Sequence, residues 1–193
     1  MVTFEFFGVK IRLDFSFFAA VGIFLAFDRA GYGAYCLAAC FCHEISHLAV
    51  MLIEGQPPDE MLFSGGGICI KQKNDVSFAV LAAGCTVNFL LFIVYCLVLP
   101  RDNIFKLMFG GANLATGLFN LLPIGSLDGK RMLEKLCYKR LSYAAAQKFL
   151  NIAGGLGYAF ALGGICLLGL SGALNLTAIT VMIYVFLMDY LVG

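Results

Sequence analysis

The stretch from Gly31 to Ile53, GYGAYCLAACFCHEISHLAVMLI, decides how the chain is to be read. It is long and apolar enough for a membrane-spanning helix, which needs about 20 residues at 1.5 Å each. Yet it carries His43, Glu44 and His47. A charged side chain at mid-bilayer costs about 2.5–3.5 kcal/mol even on the gentler insertion scales. Such a cluster needs a stabilising partner, and a metal ion is the obvious one. The pattern H-E-x-x-H provides for it. On a helix, positions four apart project from one face about a turn apart, so two imidazoles can share one zinc. Glu44 lies one step round the helix, where a carboxylate can act as a general base toward water. The chain has two His in all, and both fall in this motif. The plain alternative is a hydrogen-bonded structural His pair.

The surrounding composition agrees with a membrane setting. Of 193 residues, 61% are hydrophobic and 13% charged, against roughly 45–50% and 25% in a soluble domain. Mean hydropathy is +0.91. These values exclude a soluble globular enzyme and a disordered chain. A net charge of +1 leaves no footprint for nucleic acid. The expected fold class is an all-α polytopic membrane protein with about six transmembrane helices and a small membrane-associated β-hairpin or sheet. The whole of 1–193 is expected to be one domain, a core over 1–135 followed by C-terminal helices over 136–193, with no PDZ or CBS domain. The cysteines in apolar runs, Cys36, Cys40, Cys42, Cys85, Cys96 and Cys166, read as small buried hydrophobes. The apolar run after Lys10 and Arg12 lacks a cleavage pattern and reads as a retained span.

Hydropathy places the six spans at about 14–30, 31–53, 76–99, 104–123, 150–170 and 173–192. With that count, one side of the membrane holds both termini and the loops 54–75 and 124–149. That side carries Lys10, Arg12, Lys71, Lys73, Lys130, Arg131, Lys135, Lys139, Arg140 and Lys148, against Arg29, Arg101 and Lys106 opposite. The basic excess makes it cytoplasmic. Alternation over 3–13 predicts a strand or hairpin, and Met61–Lys71 reads as two short strands around a glycine turn. Lying on the same side, they can pair into one small sheet. Residues 130–149 read as an amphipathic helix at the interface. Asn113 and Thr116 read as helix–helix hydrogen-bonding groups, and Gly154, Gly155, Gly157, Gly163 and Gly164 as close-packing sites between the last two spans.

Two imidazoles leave a catalytic zinc one protein ligand short. With no third His, a carboxylate is expected. Asp14, Asp28, Asp59, Glu60, Asp75, Asp102 and Asp189 fall at span ends or in loops. Asp128 follows Asn120-Leu121-Leu122-Pro123-Ile124-Gly125-Ser126-Leu127, where Pro123 and Gly125 break the fourth span. Irregular backbone at membrane depth is tolerated where it is buried in protein or lines a cavity. His43 lies roughly 15 Å below the end of its span, a depth that a re-entrant stretch can reach. Spacing alone leaves Asp128 open between a ligand and an ordinary Asp-Gly turn.

H-E-x-x-H in an early span and N-x-x-P-x-x-x-x-D-G late in another resemble the site-2 protease family of intramembrane zinc metalloproteases. The likeness is greatest to its compact six-span sporulation-type branch and covers roughly residues 5–135. It includes Ala83-Gly84-Cys85-Thr86-Val87-Asn88, similar to an A-G-P-x-x-N element with Cys85 in place of proline. Ser126 and Lys130 also depart from the usual residues around Leu-Asp-Gly. The resemblance implies one zinc per chain held by His43, His47 and Asp128, with Glu44 as catalytic base. Asn120, and Asn88 with it, are candidates for holding substrate or the tetrahedral intermediate. It implies regulated intramembrane proteolysis of a single-span or membrane-tethered protein, in a multi-pass protein of the lipid bilayer, in a bacterial cell membrane. A catalytically silent member that binds membrane proteins without cutting them is the alternative. A metal transporter would spread its ligands over several spans, whereas here they cluster.

Overall fold

A computed structural model describes residues 1–170, apart from residues 7, 29–30, 66, 72–74 and 101–102. The chain divides into two compact units, Met1–Gly117 and Leu118–Gly193. The expected sixth span, 173–192, lies outside the described residues.

The first unit begins with two strands, β1 (Val2–Phe6) and β2 (Val9–Leu13), antiparallel with Phe6 opposite Val9. Gly8, between them, lies at φ +76°, a left-handed conformation that glycine adopts without a Cβ penalty. Helix α1 (Phe15–Phe27) and helix α2 (Gly33–Ile53) follow, then β3 (Glu60–Ser64) and β4 (Gly67–Lys71). The four strands form one sheet in chain order. Its central pair is parallel, with Lys10 opposite Glu60 and Leu13 opposite Phe63; β3 and β4 are antiparallel. Arg12 and Glu60 form an ion pair across the parallel pair, at 3.1 Å. The expected small sheet is present, built from the alternating stretch and the glycine hairpin.

Helix starts follow local chemistry. Asp14 caps α1 by accepting from the Ser16 amide at 3.1 Å. Asp28 accepts from the amides of Tyr32 (3.2 Å) and Gly33 (2.5 Å), where α2 begins. Those amides have no intrahelical acceptor, so a side-chain oxygen there satisfies them. Ser77 caps α3 (Phe78–Val98) through the Val80 amide, and its hydroxyl donates to Glu54 Oε1 at the end of α2, at 2.7 Å. Helices α2 and α3 are thereby tied end to start. Beyond α3, a π-helical turn (Lys106–Gly110) leads into α4 (Gly111–Asn120). Phe105 and Phe109 stack at 5.4 Å, and Tyr95 of α3 meets both edge-on.

The second unit holds the end of α4, the non-helical segment 121–127, α5 (Asp128–Arg140) and α6 (Tyr143–Leu170). The fourth helix ends at Asn120, three residues before the proline. The expected single amphipathic helix over 130–149 is two helices. The chain turns at Leu141-Ser142, and Cys137, Ala146 and Leu150 close into a small buried cluster with Leu133 across the turn. The fifth span therefore starts at Tyr143 rather than near 150.

Three helices among the described residues are long and apolar enough to cross a membrane: Gly33–Ile53, Phe78–Val98 and Tyr143–Leu167. Helix α1, at 13 residues, is about 20 Å long, short of a hydrocarbon core of about 30 Å. Of the six expected spans, three are met by length and composition among the described residues.

Candidate metal centre

The site in the first unit is built by α2 and α3. His43 and His47, four residues apart, are both buried, at 3% and 6% exposure, and their ring centroids lie 4.8 Å apart. Each imidazole is held through Nδ1. That of His47 contacts the Val80 carbonyl of α3 at 2.6 Å. A carbonyl can only accept, so this nitrogen carries a proton, which in the neutral ring leaves the lone pair on Nε2. Nδ1 of His43 meets Asn88 Oδ1, also on α3, at 2.7 Å. Ser46, between them, donates its hydroxyl back to the His43 carbonyl at 2.6 Å.

Gly84, one turn before Asn88 on α3, faces the pair. A Cβ there would come within 2.5 Å of Nε2 of both His43 and His47. The two nitrogens therefore converge on one small space that exists because residue 84 has no side chain. This is the arrangement a metal requires: two neutral imidazoles, each oriented through its other nitrogen, with lone pairs aimed at a common point. The residues present fit a zinc ion on this side. Glu44, on the next position round α2, is half-buried.

Asn88 is wholly buried, and its amide hydrogens go to the Ala39 carbonyl (3.2 Å) and to Asn113 Oδ1 (2.8 Å). Sequence reasoning held it as a substrate contact or a helix–helix bond. The structure places it against His43, which spacing could not have indicated, since the sequence does not say which neighbour an Asn in an apolar helix meets. Asn113 does bond between helices, as expected. Cys85, beside Gly84, is buried.

The second unit presents Asp128 as the first residue of α5, buried, with Leu127 preceding it in extended backbone. The helix's unsatisfied amides favour a carboxylate charge at this end. A Cβ on Gly129 would collide with the backbone carbonyl of Leu121. The Asp-Gly pair is therefore a packing requirement as well as a chemical one: glycine lets α5 start directly on the end of the broken helix. Gly125, at φ +55°, turns the chain inside the break. Ile124, almost fully buried, and Pro123 pack on α6 at Gly157, where a Cβ would meet Ile124 Cγ2 at 2.7 Å. Gly157 thus seats the broken segment among the described residues. Gly155, Gly163 and Gly164 have nothing within 4 Å among the described residues. Asn120 is the last residue of α4 and half-buried.

Comparisons with known proteins bear on both units. Residues 101–164 match the family described as peptidase family M50. A Synechocystis sp. protein whose zinc metalloprotease activity is assigned in name only is 32% identical over 114 residues, covering 53% of this chain. The site-2 protease from Methanocaldococcus jannaschii matches in structure with a TM-score of 0.64 at 22% identity, over 98% of this chain and 93% of that one. The chain is thus similar to peptidase family M50 over about a third of its length and to a site-2 protease in fold. At 22% identity the structural likeness to the archaeal enzyme speaks to fold alone. The chain spans 30% of the length of its Synechocystis relative. The M50 match takes in Asn120, Pro123 and Asp128 but not the histidine motif, so the two stretches rest on separate observations.

Proposed function

We propose that this chain is an intramembrane zinc metalloendopeptidase that cleaves a single-span or membrane-tethered protein within or near the bilayer. The observation that carries the reading is the convergence of Nε2 of His43 and His47 on the space left by Gly84. In this reading one zinc is held by His43, His47 and Asp128. The chemistry supplied by a bound zinc is that of a Lewis acid, polarising a carbonyl and lowering the pKa of water toward neutrality. Glu44 accepts the proton of the attacking water at a carboxylate oxygen and returns it to the leaving amine nitrogen. Asn120 holds the substrate backbone. Asn88 orients His43 and does not touch substrate.

A peptide bond within a helix is shielded, so the substrate must be extended before it is cut. Strand β4 lies at an edge of the sheet, and its backbone edge suits an extended segment adding alongside. The excess of basic residues in the sequence around the strands and the 124–149 stretch supports a cytoplasmic side for the sheet, and the reading extends to both termini and to regulated intramembrane proteolysis in a bacterial cell membrane.

The test is membrane-fraction proteomics of cells carrying the wild type or Glu44→Gln. The variant should keep its zinc and lower cleavage by about 10²–10⁴-fold, so that an uncut precursor accumulates. Equal processing in both strains refutes the role of Glu44. A wild type that binds substrates without ever cutting them identifies a silent family member.

A further inference from the structure

His43 differs from His47 in how its proton is placed. The acceptor on His47 is a backbone carbonyl, which cannot turn round. The acceptor on His43 is a side-chain amide, which can: rotated by half a turn, Asn88 would present Nδ2 to the ring, and the proton would have to move to Nε2. Something must hold that amide. Its two hydrogens go to the Ala39 carbonyl at 3.2 Å and, by the shorter bond, to Asn113 Oδ1 at 2.8 Å. The Asn113 amide is in turn oriented by donating Nδ2 to the Phe109 carbonyl at 2.8 Å, in the π-helical turn before α4. Both asparagines are fully buried, and an unpaired amide there is costly.

We infer that Asn113 is a positioning residue for the metal site: it fixes the Asn88 amide, which fixes the tautomer of His43, which aims the Nε2 lone pair at the space beside Gly84. A backbone carbonyl at Phe109 thus sets a proton's position on α2 through two amides. Residues 1–117 contain every group involved, and the inference rests on the zinc reading given above.

The chain's two His make the proton positions directly readable. Protein labelled with ¹⁵N-histidine, purified in detergent without a polyhistidine tag and stripped of metal, is examined by ¹⁵N NMR at mildly alkaline pH. The wild type should show both imidazoles with the proton on Nδ1. Asn113→Leu should shift one ring, and only one, toward the other tautomer. Zinc affinity, read by competition with a chromophoric chelator, should fall by about tenfold, at the low end for an outer-sphere partner. Asn113→Asp keeps the acceptor toward Asn88 and, protonated, the donor toward Phe109. It should retain the wild-type tautomer and zinc affinity within about threefold, and it serves if the leucine variant fails to fold. An Asn113→Leu protein with wild-type tautomers and affinity overturns the inference, as does an Asn113→Asp protein that loses the Nδ1 proton. Wild-type tautomers as expected in a protein that binds no zinc would instead overturn the metalloprotease reading.

Discussion

In α2 an unbroken helix sets two imidazoles on one face, and the facing helix contributes an absence, the missing side chain of Gly84. In residues 118–129 the helix has to stop before Asp128 can be presented, and the restart of α5 depends on glycine packed against backbone. One region relies on periodicity, which any helix supplies. The other relies on a break that only certain residues allow. A regular helix tolerates substitution over most of its surface and fails at the point of closest approach. A broken one has several such points, each tied to main chain that cannot move aside. The histidine side is thus a matter of where side chains point, and the aspartate side of whether the backbone can follow its course.

Substitutions can break this contrast. The largest effect is expected for Gly84→Ala, whose methyl would occupy the space shared by the two Nε2 atoms. Zinc affinity should fall about a thousandfold or more, or roughly 4 kcal/mol, while circular dichroism stays helical. Retained stoichiometric zinc by elemental analysis would show that the imidazoles converge elsewhere. Gly129→Ala should act on folding instead. Its clash is with the Leu121 carbonyl, and forced overpacking of this kind costs about 3 kcal/mol, read as a lowered unfolding midpoint in detergent. An unchanged midpoint would mean that α5 does not begin on the end of α4. At Gly157 the nearest atom is the end of the Ile124 side chain, which can give way. Gly157→Ala should therefore cost only about 1 kcal/mol, and a loss as large as at Gly129 would merge the two cases. Arg12→Met should be mildest, at about 0.5–1 kcal/mol, because Lys71 Nζ remains 4.0 Å from the same Glu60 oxygen and both side chains keep some access to water.

The legibility of the sequence divides along the same line. His43 and His47 could be read because helical spacing converts directly into geometry, and the sheet because alternation and a glycine turn do likewise. Pro123 and Gly125 announced a break, and the break is there. The turn at Leu141-Ser142 was not readable: apolar and basic residues continue evenly through it, and the cluster of Cys137, Ala146 and Leu150 that bends the chain is a tertiary effect. Nor could the sequence show the π-helical turn at Lys106–Gly110 or the Asn88–Asn113 contact. Each depends on which neighbour a helix meets, and a pattern internal to one helix carries no record of that.

The parallel pairing of β2 with β3 has a topological consequence. Strands that share hydrogen bonds must emerge on the same face of a bilayer, and between Leu13 and Glu60 the helices among the described residues are α1 and α2. A path that leaves one side and returns to it traverses an even number of times. If α2 crosses, α1 must cross as well, and its 13 residues, short of the hydrocarbon thickness, favour local thinning of the lipid around it. A short first helix would then draw the two leaflets together around itself, and so lessen the depth of lipid that the neighbouring α2 has to span.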